Sequence, residues 1–197
     1  MQHLLDHARS FPNRVARQRD HFDELAHGQS PQVLFLTCSD SRVIPSLITG
    51  ARPGELFELR TAGNIVPRHD RPAAAGETAT IEYAVEVLGV SDIVVCGHSH
   101  CGAVGAMSRG DDLSAVPAVR SWLEHATPLP GATAGDGPRL TSAVQAHVMD
   151  QVERLLNYPC VAPRVSDGRL NLHGWFYEVD TGTVLAHRAH ADEFLPL

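Results

Sequence analysis

Apolar positions recur along this chain with two different spacings, and the spacings alternate. Residues 33–37 (Val-Leu-Phe-Leu-Thr) and 93–96 (Ile-Val-Val-Cys) are short continuous apolar runs, the pattern of strands buried on both faces. Residues 56–60 predict a further strand. Between the second and third of these, Ile81, Ala84, Val85 and Leu88 follow the i, i+3, i+4, i+7 rule and predict a helix over 77–88, closed by Gly89. Strand, helix, strand in that order is a βαβ unit and implies a parallel sheet. Shorter helices are expected over 45–48 and 116–125. Leu140, Val144, Val148, Val152 and Leu155 mark one face of a long helix. Strand patterns over 170–179 and 183–187, joined through Asp180-Thr181-Gly182, predict a hairpin at the sheet edge. The expected fold class is α/β: a mostly parallel β-sheet flanked by helices, with an N-terminal helical arm and a C-terminal edge hairpin.

The arm is residues 1–28. Phe11 and Val15 lie four apart, Phe22 and Leu25 three apart, and Gly28 supplies a stop. So little apolar surface does not stand alone, so the arm is expected to pack on the body or on a second subunit. The Pro/Gly-rich stretch 128–138 predicts an exposed loop. A length of 197 residues fits one domain, 1–197, with the arm as part of it.

Composition narrows the function. With 43% hydrophobic and 20% charged residues the chain has the make-up of a soluble globular protein. A formal charge of -7 argues against nucleic acid or an anionic membrane as partner. No apolar run is long enough to span a bilayer, and the first residues lack the basic and apolar regions of a signal peptide, so a cytoplasmic location is expected. There the four cysteines are not expected to form disulfides, which frees Cys38 and Cys101 for metal.

The chemistry sits just after the two apolar strands. CSDSR at 38–42 and HSHCG at 98–102 together offer Cys38, His98 and Cys101, a Cys₂His set that suits zinc with one position left open. His-x-x-Cys alone is a weak signal, because free cysteine is among the most buried residue types. Both halves at the carboxyl ends of strands, where an α/β sheet gathers its ligands, make a much stronger one. Water in the open position would have its pKa lowered towards ~7, less so beside two thiolates, so an alkaline activity profile is expected. Asp40 can reach that position as a ligand or as a hydrogen-bond acceptor, and Arg42 can hold it bidentately away from the metal. His100 is either a proton relay or an exposed spacer. Cys96 reads as core, Cys160 as part of a turn, and His147, His173 and His187 carry no assigned role.

These motifs, with RTAGNIVP at 60–67, IEYAVEVLGVSDIVVCGHSHCGAV at 81–104 and HGWFYEVDTG at 173–182, identify a resemblance to the β-class carbonic anhydrases, in particular the plant-like branch with its bacterial members. The resemblance covers nearly the whole chain. It implies reversible hydration of carbon dioxide to bicarbonate and a proton, one Zn²⁺ per chain on Cys38, His98 and Cys101, and Asp40 and Arg42 as the dyad that positions zinc-bound hydroxide. It implies Gln29 as a substrate-orienting amide. Phe57, Ala62 and Tyr83 match the lining of the apolar substrate pocket, with the Gly102 amide nearby. Residues matching Gln29, Phe57 and Tyr83 reach the neighbouring subunit's zinc, so a homodimer or tetramer with active sites at the subunit interface is expected. A second branch of the family closes its aspartate onto zinc and binds inhibitory bicarbonate between Trp, Arg and Tyr. Arg60 and Tyr177 match the last two, but Phe35 replaces the tryptophan, so an open site is expected. Thr61 replaces a common asparagine, and the plant enzymes' C-terminal extension is missing, which argues against an octamer. Hydrolysis of carbon disulfide or carbonyl sulfide, and a non-catalytic zinc or bicarbonate sensor, are the alternatives.

Overall fold

Strand burial follows the hydrophobic pattern closely. In the computed structural model, which describes residues 1–69, 76–127 and 137–197, β1 (Val33–Cys38) and β3 (Asp92–His98) are buried almost throughout. Both faces of these strands are covered, which is why they read as continuous apolar runs instead of alternating ones. With β2 (Leu56–Thr61), β4 (Asn171–Tyr177), β5 (Val184–Arg188) and β6 (Glu193–Pro196) they form one six-stranded sheet in the order β2-β1-β3-β4-β5-β6. The first four places are parallel, and β5 and β6 add antiparallel. The expected β4–β5 hairpin is present. The pattern did not signal β6, a four-residue strand that takes the outermost place beyond it.

The chain divides into two compact units, 1–30 and 31–197. The first holds α1 (Gln2–Val15) and α2 (Arg19–Leu25), separated by one 3₁₀ turn. Phe11 meets Phe22 edge to face at 6.0 Å, and the Arg14 guanidinium lies 5.3 Å above the Phe11 ring. No residue of α1 is buried.

In the second unit, α3 (Pro45–Thr49) follows β1, and α4 (Gly76–Glu82) runs into a π-helical segment, Tyr83–Leu88. The sequence predicts one helix there, and a 3.6-residue period does not separate α from π hydrogen bonding over two turns. Then follow α5 (Gly102–Arg109), α6 (Pro117–Leu123), α7 (Pro138–Leu155) and α8 (Ala162–Ser166). Of these, α6 and α7 were expected and α5 and α8 were not. Most of the expected loop, 128–136, lies outside the described residues. The main core joins Leu34, Leu36, Ile93 and Val95 of the sheet to Ile81, Val144 and Val148 of the helices. The other face buries Phe35, Val94 and Cys96 against Trp175 and Tyr177. Cys96 is the core residue its strand implies, and complete burial pushes its thiol up to about 12.

Gly97 explains how α7 comes so close to β3. A Cβ at this position would lie 2.6 Å from Val148 Cγ2 and 2.7 Å from Val144 Cγ1, both on branched side chains with little freedom to retreat. Gly97→Ala is therefore expected to destabilise the fold by about 1–3 kcal/mol through overpacking, seen as a lower urea midpoint with an unchanged slope.

Candidate metal centre

Parallel pairing of β1 with β3, Thr37 opposite Cys96, sets the carboxyl ends of the two strands side by side. Cys38 ends β1 and His98 ends β3, while Cys101 is the N-cap of α5. Their ligand atoms lie within 4.8 Å of one another, and this is the metal-competent group among the described residues. All three are buried, His98 completely.

The histidine presents the tautomer a metal requires. Its Nδ1 lies 2.8 Å from the Ser99 carbonyl oxygen, which only accepts, so Nδ1 carries the proton and Nε2 a bare lone pair. That Nε2 is buried and has no hydrogen-bond partner. An orphaned buried acceptor facing two sulfurs is what a metal ion satisfies. Ser99 is itself fixed by β4: its N–H donates to the Tyr177 carbonyl, and its hydroxyl accepts from Val179 N–H. The two thiols share a proton unequally. The Cys101 S–H holds Cys38 well below the usual thiol range, against the effect of burial, with help from the Gly63 and Asp40 amides. Cys101 is pushed up by the same thiolate and by burial. A cation in place of that proton lets both ionise.

Beside the sulfurs, Asp40 Oδ1 accepts from the Arg42 amide and Nε, both at 2.9 Å, and Oδ2 accepts from Arg42 Nη2 at 2.7 Å. These bonds hold the Asp40 carboxyl far below the usual carboxylate range. Oδ2 also lies 3.9 Å from His98 Nε2, so the carboxylate borders the ligand cluster without donating to it. Arg42 Nη2 reaches the His100 carbonyl at 3.1 Å. His100 is exposed and has a positive φ of 56°.

The structure brings Phe57 and Tyr83 together, with ring centroids 6.0 Å apart, and leaves Tyr83 44% exposed. Ala62 and Gly102 are exposed, and so is Gln29 at the end of the first unit. Phe35 packs edge-on against Trp175 inside the sheet. The Arg60 guanidinium is spent on backbone: it donates to the carbonyls of Cys38, Asp40 and Val43, at 2.7 Å for the last two. It thus braces the whole 38–43 turn, a role that the motif alone did not reveal. Thr61, at the atypical position, closes the following turn by donating from Oγ1 to the Ile65 carbonyl at 3.1 Å.

Comparison with known proteins agrees with this geometry. The sequence model of the family described as carbonic anhydrase matches residues 33–184. A Pseudomonas aeruginosa carbonic anhydrase is 46% identical over 89% of this chain and 82% of its own length, and one from Synechocystis is 39% identical over 99% and 74%. The solved structure of the β-carbonic anhydrase CcaA superposes with a TM-score of 0.93 at 38% identity, covering 100% of this chain and 99% of that one. One of two tetrameric β-carbonic anhydrases from Sordaria macrospora matches with a TM-score of 0.79 at 31% identity, over 94% and 95%. Sequence, fold and the arrangement of two cysteines and a histidine agree, and the chain belongs to the β-class carbonic anhydrase family.

Proposed function

We propose that this enzyme hydrates carbon dioxide reversibly to bicarbonate and a proton, using one zinc ion held by Cys38, His98 and Cys101. The observation that carries the reading is the bare, buried Nε2 of His98 directed at two sulfurs, one of them already favoured as thiolate. Two thiolates and an imidazole suit zinc among the common divalent ions, and three protein ligands keep a position for chemistry. When bound, zinc supplies a Lewis acid that lowers the pKa of water and opposes the charge developing on the substrate.

The side chains do the rest. Asp40, held by Arg42, accepts a hydrogen bond at Oδ2 from the attacking water and orients its lone pair towards the carbon of carbon dioxide. Its depressed pKa keeps it an acceptor, so it orients the nucleophile without taking the proton for itself. Phe57, Tyr83 and Ala62 offer an apolar surface for a substrate without net dipole. The Gly102 amide and the Gln29 carboxamide donate to its oxygens, and the proton released leaves to buffer.

The assembly follows from the same resemblance. The tetrameric Sordaria relative supports an oligomer, dimer or tetramer, in which Gln29, Phe57 and Tyr83 act on a neighbour's zinc. The wholly unburied α1 supports a single-domain chain whose arm, 1–28, packs on that neighbour. No helix among the described residues is long and apolar enough to cross a membrane, the acidic balance supports an enzyme without nucleic-acid partners, and the location proposed is the cytoplasm.

Stopped-flow carbon dioxide hydration by zinc-quantified protein tests the proposal. Turnover per zinc at neutral and alkaline pH, rising with pH, is expected. Activity confined to alkaline pH would place Asp40 on the metal, and no activity from zinc-loaded protein would overturn the reading.

A further inference from the structure

The geometry points to Trp122 and His147 as positioning residues for the Cys38 thiolate, which they control through the backbone on either side of Gly63. This rests on the zinc reading of the Cys38, His98 and Cys101 cluster.

The Ala62 carbonyl and the Gly63 N–H are the two ends of one peptide group. The Trp122 indole Nε1–H donates to the Ala62 oxygen at 2.9 Å, and the Gly63 N–H donates to Cys38 Sγ at 3.4 Å. An amide whose oxygen accepts a hydrogen bond is polarised into a better donor, so the indole strengthens the bond to sulfur from the far side of the peptide. The next peptide is held as well. The Gly63 carbonyl lies 2.8 Å from Nε2 of His147, and since a carbonyl only accepts, that nitrogen carries the proton. His147 is fully buried on α7, its other nitrogen has no partner, and burial lowers its pKa, which favours the neutral ring.

Gly63 itself needs holding. Its φ of 73° lies in the left-handed region, and a Cβ there would stand 3.0 Å from the Cβ of Ala103 in α5. The Gly63 turn therefore packs directly on the helix whose N-cap is Cys101. Two bonds from α6 and α7 thus fix one turn that donates to the first thiolate and abuts the element carrying the second. Neither Trp122 nor His147 belongs to the ligand set. Trp122 packs on a separate cluster of Ile65, Leu123 and Ala126, and the two residues lie 60 and 84 positions from their backbone partners.

The test is metal affinity and spectroscopy on the full chain, independent of turnover. Zinc binding is measured by competition with a chelating dye, and the sulfur-to-metal charge-transfer band is recorded with Co²⁺ in place of zinc. Trp122→Phe keeps a packing ring and deletes only the N–H. It should weaken zinc binding about tenfold, in the range seen when outer partners of metal ligands are removed, and shift the cobalt band. His147→Leu should act in the same direction, with His147→Gln, which keeps an N–H donor, recovering most of the loss. If His147→Leu does not fold, Trp122→Phe decides alone. Zinc affinity within about twofold of wild type and an unmoved cobalt band in Trp122→Phe would overturn the inference. Wild-type protein that binds no zinc and shows no sulfur-to-cobalt band would instead overturn the metal reading beneath it.

Discussion

His98→Ala is expected to abolish zinc binding, and carbon dioxide hydration with it, while destabilising the metal-free fold only modestly. The two halves of that expectation have different causes. In the metal-free protein, Nε2 of His98 is a buried acceptor without a partner, which costs about 1–3 kcal/mol. Deleting the ring removes that penalty but also breaks the Nδ1–H bond to the Ser99 carbonyl and leaves a cavity, so the metal-free variant is modestly less stable. With metal the balance differs. Two sulfurs cannot complete a catalytic zinc site, and the native state loses the stabilisation that a tightly bound ion confers, which is about 2.7 kcal/mol when free ligand exceeds the dissociation constant a hundredfold. Metal analysis, stopped-flow assay and thermal unfolding with and without a chelator check this. Wild-type protein should lose stability when chelated, and the variant should not respond. A variant that kept full zinc content would remove His98 from the ligand set.

Asp40→Asn should retain zinc and lose turnover by a factor on the order of 10², the cost of a nucleophile misplaced by about 1 Å. The hydrogen bonds explain why so small a change matters. Oδ1 accepts twice from Arg42 and Oδ2 once, so all three bonds need an acceptor. An asparagine that keeps its oxygen at the first position places an NH₂ against Arg42 Nη2, donor against donor. One that flips puts NH₂ against both the Arg42 amide and Nε. Either way the side chain leaves Arg42, and what it offers the water is as often a donor as an acceptor. Stopped-flow rates per bound zinc, with Arg42→Met as the companion, measure the loss. Wild-type turnover in Asp40→Asn would end the dyad role proposed for this pair.

Much of this architecture is visible in the residues alone. The runs 33–37 and 93–96 announce buried strands because they have no polar face to show, and the βαβ order makes them parallel. From there, two sequence-distant motifs had to meet at one end of the sheet, and their ligand atoms do lie within 4.8 Å. What stayed hidden shares one physical cause: it is carried by backbone. Arg60, Trp122 and His147 act by donating to carbonyls, which every residue possesses, so no side-chain pattern marks the receiving end. The short β6 and α8 likewise owe their place to neighbours rather than to their own periodicity. In the arm, sequence spacing pairs Phe11 with Val15, while the 3₁₀ turn folds Phe22 back onto Phe11 instead.

The strand order has a consequence for how the protein is made. β1 emerges early in synthesis and its partner β3 only after the whole α4 crossover, so Cys38 exists as a solitary thiol until a long-range pairing has formed. Closing that loop is slow relative to local helix formation, and it must precede assembly of the ligand set. Full three-ligand coordination is thereby postponed until β1 and β3 have paired. Chains in which β1 and β3 are unpaired cannot hold an ion at all three positions, so full coordination reports completed topology.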